Sequence, residues 1–442
     1  MIFILEFFKL YRHYIVFFLV SIFTGLIATI RGSDLLGLFF VTLNMFLVLC
    51  LLFFINDRHL RNILIIAILI RLGLSIFQAY IAPLPDSGAD AVTFERIGWE
   101  NAQAWLAGGE AVRTTGAYIY SAWIGVLYYL FGRVQLIAQF MNVLAGLFIV
   151  FLIYKLTMRV TELKRCGYIA GLVAAFYPTL NLYSAITMRE CFIVLFSLLS
   201  IYSFIVWVDR GFFGYFGLAV LTLIPASSLH GGITLVGLVY VFFYCFYSPT
   251  KKRWMLFSWR LLPGIVISAG IIFLFGDLIF YKLPSNPALL FSPEFFKGKV
   301  AVASRSRAAY LVGFSPSSLL DVLWHTPIRI LYLLFTPFPW MIKVFGDLFA
   351  FAEAFICLFL VWYSVNGFSI VKRKNKAQYI ALLLILIVLM IVFSWGTSNY
   401  GTAIRHRQKF VSLLIVGASC GIYLSSKWNW LFPEKRAGKR IA

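Results

Sequence analysis

Residues 133–159 read RVQLIAQFMNVLAGLFIVFLIYKLTMR, an apolar run bounded by Arg133 at one end and by Lys155 and Arg159 at the other. About 20 such residues, rising roughly 1.5 Å each as a helix, cross the ~30 Å of hydrocarbon in a bilayer. Comparable runs recur along the whole 442-residue chain, which is 62% hydrophobic and only 12% charged. Its mean hydropathy is +0.91. That leaves too little polar surface to coat a soluble globule, so lipid is the expected solvent. Helices are the expected form, because lipid satisfies no backbone hydrogen bonds.

Hydropathy tested against the positive-inside bias predicts an all-α, polytopic protein of twelve spans. They fall at about 14–30, 34–55, 62–81, 134–155, 167–185, 190–208, 213–230, 232–248, 260–281, 345–368, 377–395 and 409–426. Both termini are then cytoplasmic, in a single integral membrane domain over 1–442. The cytoplasmic segments carry 22 basic residues against five acids, which accounts for +17 of the total charge of +21. Two further apolar stretches are rejected as spans. Tyr118–Phe131 is too short and reads as an interfacial helix, and Leu319–Met341 is interrupted by Pro327, Pro337 and Pro339, which favours a re-entrant or surface segment. Two large external loops result, at about 82–133 and 282–345. The first apolar run, Tyr14–Ile30, lacks a small-residue cleavage site and reads as a retained helix.

Several function classes are disfavoured. Basic residues are dispersed among short loops and form no single stripe, so anionic lipid headgroups are the expected partner and nucleic acid is not. The six cysteines show no CxxC spacing and the five histidines no HxxxH or HExxH, so neither disulfides nor a metal site is expected. No Walker-type loop or GxSxG motif supports nucleotide-driven or serine-hydrolase chemistry, and no cofactor is implied.

The first external loop contains PLPDSGADAVTFERIGWENAQAWLAGG, residues 83–109, which sets Asp86, Asp90, Glu95 and Glu100 just beyond a span. A carboxylate at such a boundary is suited to accept a proton from an acceptor hydroxyl, although a solvated acidic loop has the same composition. Next come the short helix YIYSAWIGVLYYLFG, the span quoted above, and a span ending AFYPTLNLYSAITMRE at residues 175–190. Arg189 and Glu190 close that segment, either as part of a site or as charges capping the following helix. Arg71, in the middle of the third span, should face a polar cavity or an acidic partner.

This succession, over Asn62 to about Arg210, resembles the GT-C class of membrane glycosyltransferases, which includes protein O-mannosyltransferases and lipid A aminoarabinose transferases. The resemblance implies a GT-C-like fold with external juxtamembrane helices. It also implies that Asp90 is the catalytic base that activates the acceptor, with Asp86 as the alternative, and that Glu190, beside Arg189, helps complete the active site.

A second constellation is WGTSNYGTAIRHRQKF, residues 395–410, which reads as an external turn holding Arg405, His406, Arg407 and Lys409. Positive-inside bias should deplete cations there, so their presence suggests a phosphate site, with snorkelling to headgroups as the alternative. KGKVAVASRSR adds Arg305 and Arg307 on the second loop, or else forms an amphipathic helix on anionic lipid. The PFPW segment and the RHR turn resemble bacterial surface-polysaccharide proteins related to the repeat-unit polymerases.

The expected function is glycosyl transfer on the non-cytoplasmic face of a bacterial inner membrane. The donor would be a polyprenyl-phosphate or polyprenyl-diphosphate sugar and the acceptor a glycan, lipid or protein. Asp90 or Asp86 would act as base, with Arg405, His406, Arg407, Arg305, Arg307 and Arg189 on the donor phosphate. An O-antigen or capsule repeat-unit polymerase would show the same residues. A lipid-linked sugar flippase is the alternative from another class, although no internal repeat supports it.

Overall fold

The computed structural model describes residues 35–255, 307–314, 316–344 and 346–425, with scattered positions between 262 and 298. The expected spans at 14–30 and, in the main, 260–281 lie outside the described residues, as does Arg305. Among the described residues the regular elements are helices, apart from one short antiparallel hairpin, β1 (Tyr247–Ser248) with β2 (Arg253–Trp254), and an isolated bridge between Ala309 and Asn399.

The helices are α1 (Leu35–Phe53), α2 (Arg58–Tyr80), α3 (Ala89–Leu106), α4 (Ile119–Phe131), α5 (Gln135–Thr161), α6 (Lys164–Phe176) and α7 (Pro178–Ala185). They continue as α8 (Glu190–Arg210), α9 (Phe213–Leu229), α10 (Val236–Phe246), α11 (Leu319–Phe335), α12 (Gly346–Lys374), α13 (Lys376–Trp395) and α14 (Tyr400–Leu424). Among the described residues α2, α5, α8, α12 and α13 are long and apolar enough to cross a membrane. The chain is an integral membrane protein on that ground, and the twelve-span count is not reproduced. One cause is local: the expected span 167–185 is two helices, because Pro178 has no amide hydrogen to continue α6 and instead opens α7 at its first turn.

Capping residues set several of these boundaries. The Asp57 side chain accepts from the His59 and Leu60 amides to start α2, and Asn375 does the same for α13. Ser318 and Asp321 form a reciprocal capping box on α11, which runs unbroken through Pro327.

The described chain divides into two compact units. The first holds residues 35–150, Ala175–Leu195 and Ser228–His230. In it α3 packs along α4, and α2 lies against α7. The second holds Phe151–Ala174, Phe196–Ser227 and the residues from Gly231 onward. Its most extensive packing is between α12 and α14. There Gly417 and Gly421, four residues apart, meet Gly367 and Tyr363 so closely that a Cβ on Gly367 would collide with the Gly417 carbonyl. Small residues at this spacing let two helix backbones touch, which is how helices associate where lipid supplies no hydrophobic drive.

Candidate active site

The site grows from the loop between α2 and α3. The Leu84 amide donates to the Gln78 side-chain oxygen, and the Ser87 amide to the Leu84 carbonyl, which folds the loop back on the end of α2. Asp86 takes a left-handed backbone conformation, φ 61°, that aspartate tolerates better than most residues. Its carboxylate accepts a 2.8 Å hydrogen bond from the Tyr183 hydroxyl on α7. Asp90 lies in the first turn of α3, exposed, where a carboxylate suits the positive end of the helix dipole.

The segment linking α7 to α8 is fastened beside this loop. The Thr187 hydroxyl donates to the Ala91 carbonyl at 3.0 Å, and the Arg189 guanidinium lies 5.5 Å over the Phe94 ring. Arg189 also donates to the Leu229 carbonyl at 2.8 Å. Beneath it all is Asn142, fully buried on α5. Its side-chain nitrogen donates to the Ile186 and Met188 carbonyls at 2.6 and 2.8 Å, and its oxygen accepts from the Tyr120 hydroxyl at 3.0 Å. Glu190 opens α8 only 4% exposed, within electrostatic range of Tyr120 and Cys191, and one of its carboxylate oxygens has no hydrogen-bond partner.

The structure thus brings Asp86 and the Arg189–Glu190 segment into one polar neighbourhood, with Asp90 at the start of the adjoining helix. Arg71, expected to meet a polar cavity or an acid, is fully buried. It donates to the Ala67 carbonyl at 3.0 Å, in space that the missing side chain of Gly146 leaves to it and to Ser184.

Beside these residues is a cavity of about 320 Å³ lined by Gln78, Ser87, Val92, Glu95, Arg133, Gln135 and Thr187. Glu95 and Arg133 form a two-pronged ion pair at 3.0 and 2.9 Å, and the Tyr128 hydroxyl donates to the same carboxylate at 3.0 Å. The hydrogen bonds from Arg133 to Glu95 push the guanidinium further above its usual range, and burial pushes the Tyr128 phenol well up, so both remain donors at any physiological pH. Sequence reading passed over Asn142 and this pair. The signal for Asn142 was a polar residue inside the apolar run quoted first, which is costly in lipid and calls for a partner.

The second unit corrects the expected phosphate-binding turn. Asn399 caps α14 by accepting from the Gly401 and Thr402 amides, so Arg405 to Lys409 lie on a helix and not on a turn. Arg407 is fully buried, 2.6 Å from Glu353, and donates to the Leu334 and Thr336 carbonyls at 3.0 and 2.7 Å. It is closed to a ligand. His406 packs on Phe393 and Lys409 lies 5.1 Å over the same ring, while Arg405 is half-buried. Arg307 is held by both oxygens of Asp347 at 2.9 Å and by the Tyr400 hydroxyl at 3.0 Å. Arg329, fully buried, donates to Ser398 and to the Phe314 carbonyl and lies 4.4 Å over Trp395. Among the described residues no cluster of three or more His, Cys, Asp or Glu side chains could hold a metal ion.

No family model matches the chain, and no curated protein matches it in sequence. Solved structures do match. The archaeal oligosaccharyltransferase AglB from Archaeoglobus fulgidus, in complex with an inhibitory peptide and a dolichol-phosphate, has a TM-score of 0.51 at 13% identity. That match covers 87% of this chain and 52% of the other. The apo form of the Archaeoglobus fulgidus oligosaccharyltransferase gives a TM-score of 0.49 at 15% identity, over 86% and 52%. The chain spans about half the length of these structures. What is shared is the helical fold. At this identity a fold is what the likeness establishes, and chemistry has to be argued from the site.

Proposed function

We propose that this protein is a glycosyltransferase that takes a sugar or oligosaccharide from a polyprenyl-phosphate or polyprenyl-diphosphate donor on the non-cytoplasmic face. The observation that carries the reading is the Tyr183–Asp86 hydrogen bond, which fixes a carboxylate beside the segment bearing Arg189 and Glu190. The shared helical fold adds support, and the solved AglB structure contains a dolichol-phosphate and a peptide. A glycan, lipid or protein is the acceptor.

Asp86 is the preferred base. The acceptor hydroxyl gives its proton to the carboxylate as its oxygen bonds to the anomeric carbon. The bond from that carbon to the phosphate oxygen breaks, its electrons leave with the lipid phosphate, and the configuration inverts. Arg189 is proposed to stabilise the leaving phosphate, as a guanidinium placed beside developing negative charge can. Glu190 is proposed to orient the acceptor. In the second unit Arg407 and Arg307 are held by carboxylates and are not proposed to bind the donor phosphate.

The test is transfer from a labelled polyprenyl-linked donor in membranes carrying Asp86→Asn or Asp90→Asn. Asp86→Asn should lower the rate about 10²- to 10⁴-fold with the protein still folded, and Asp90→Asn by much less. Full activity of Asp86→Asn removes the assigned base. Movement of the donor across the membrane without bond formation identifies a flippase instead.

A further inference from the structure

The cavity beside Asp86 has a composition that narrows what enters it. At about 320 Å³ it lies near the lower end of the ~300–1,000 Å³ of small-molecule pockets, room for one ring and its substituents. Its walls offer the Ser87 hydroxyl, the Gln135 amide, the Gln78 amide nitrogen and the Thr187 hydroxyl oxygen, whose proton goes to Ala91, with Val92 as the single aliphatic side chain. That is a poor surface for a lipid tail and a good one for a ligand studded with hydroxyls, each of which donates and accepts.

Its charges cancel. Arg133 directs two of its nitrogens at both oxygens of Glu95, and Tyr128 adds a third donor to that carboxylate. An anionic guest would find the guanidinium already neutralised and a carboxylate beside it. A cationic guest would compete with Arg133 for Glu95. Farther along α5, Gln139 is fully buried four residues beyond Gln135, on the same face by helical spacing, and neither end of its amide has a hydrogen-bond partner. The polar row that begins at the cavity wall therefore continues inward.

We propose that this cavity binds one uncharged sugar ring, and that the closed Glu95–Arg133 pair selects against uronic acids and amino sugars. The inference rests on the glycosyltransferase reading and names the sugar class that its site takes. The ring belongs either to the donor or to the acceptor, and the chemistry of recognition is the same for both.

The test uses the purified full-length chain in detergent, with methyl glucoside, methyl galactoside and methyl mannoside followed by saturation-transfer NMR, beside glucuronate, glucosamine and inorganic phosphate. At least one neutral glycoside should bind, and the charged sugars should bind at least about tenfold more weakly, the equivalent of one hydrogen bond. Gln135→Leu and the cavity-filling Val92→Trp, both at exposed positions, should each weaken the glycoside about tenfold. A glycoside displaced by a polyprenyl-linked donor marks the donor's ring, and one that becomes elongated marks the acceptor's. Glucuronate or glucosamine binding as tightly as the neutral glycosides, phosphate displacing them, or both variants binding normally would overturn the proposal. The measurement is repeated in Asp86→Asn. Binding retained there without transfer supports both readings, whereas transfer retained alongside normal binding removes the assigned base and leaves the sugar site standing.

Discussion

Two arginine–carboxylate pairs, one in each unit, have the same chemistry and opposite settings. Arg133 and Glu95 stand at a cavity wall, with side chains 47% and 14% exposed, while Arg407 and Glu353 are both at 0%. Water still reaches the first pair, so a ligand can too. The second is sealed, and its arginine also satisfies the carbonyls of Leu334 and Thr336 where α11 ends. A charge that looks functional in a sequence can thus be a pocket wall in one place and a tie between chain segments in another, and burial decides which.

The widest separation between the two should appear on removing the arginines. Arg407→Ala takes the cation from the buried Glu353 carboxylate and the donor from two buried carbonyls and should cost about 3–5 kcal/mol, whereas Arg133→Ala should cost no more than about 1 kcal/mol. Thermal unfolding in detergent measures both. Replacing the whole buried pair with Arg407→Met and Glu353→Leu should recover only part of the loss, because the lone buried charge is removed but the Leu334 and Thr336 carbonyls still lack their donor. Equal costs for the two single variants would break the contrast.

Asn142 tests the first region from below. Asn142→Ala takes the donor away from the buried Ile186 and Met188 carbonyls and should cost about 1–3 kcal/mol. On the reading above it should also release the segment that carries Arg189 and Glu190, so transfer per folded molecule should fall. A loss of stability with unchanged specific activity would make Asn142 a packing residue only.

What the sequence revealed follows the range of the forces involved. Hydrophobic runs and loop charges act locally or sum over many residues, so the helical membrane class, the short helix 119–131 and the acidic loop containing Asp86 were legible. Pro178 was visible too, but a window of apolar residues averages over it and hid the break between α6 and α7. The partners of Arg407 were out of reach, because Glu353 is more than fifty residues away and nothing local distinguishes a paired arginine from an open one. The proposed preference for Asp86 over Asp90 likewise rests on Tyr183, which lies 97 residues from Asp86 in sequence.

The smallest effect should come from Asp321, a carboxylate of the second unit that is at the surface and unpaired with any cation in its cap. Hydrogen bonds from Ser317, first its hydroxyl and then its amide, with the Ser318 amide, lower its carboxyl to about 2 from an ordinary 3.8. Because the folded value is the lower one, the contribution to the start of α11 is complete above about 4 and is lost as pH falls through about 2. Amide-exchange protection in the first turn of α11, corrected for the intrinsic rate, should therefore be flat near neutrality and decline only in acid. Asp321→Asn should remove the acid dependence and leave overall unfolding nearly unchanged, since an exposed carboxylate stays solvated in either state. A large global loss in that variant would mean that surface charge matters as much as buried charge in this unit, against the contrast drawn from Arg133 and Arg407.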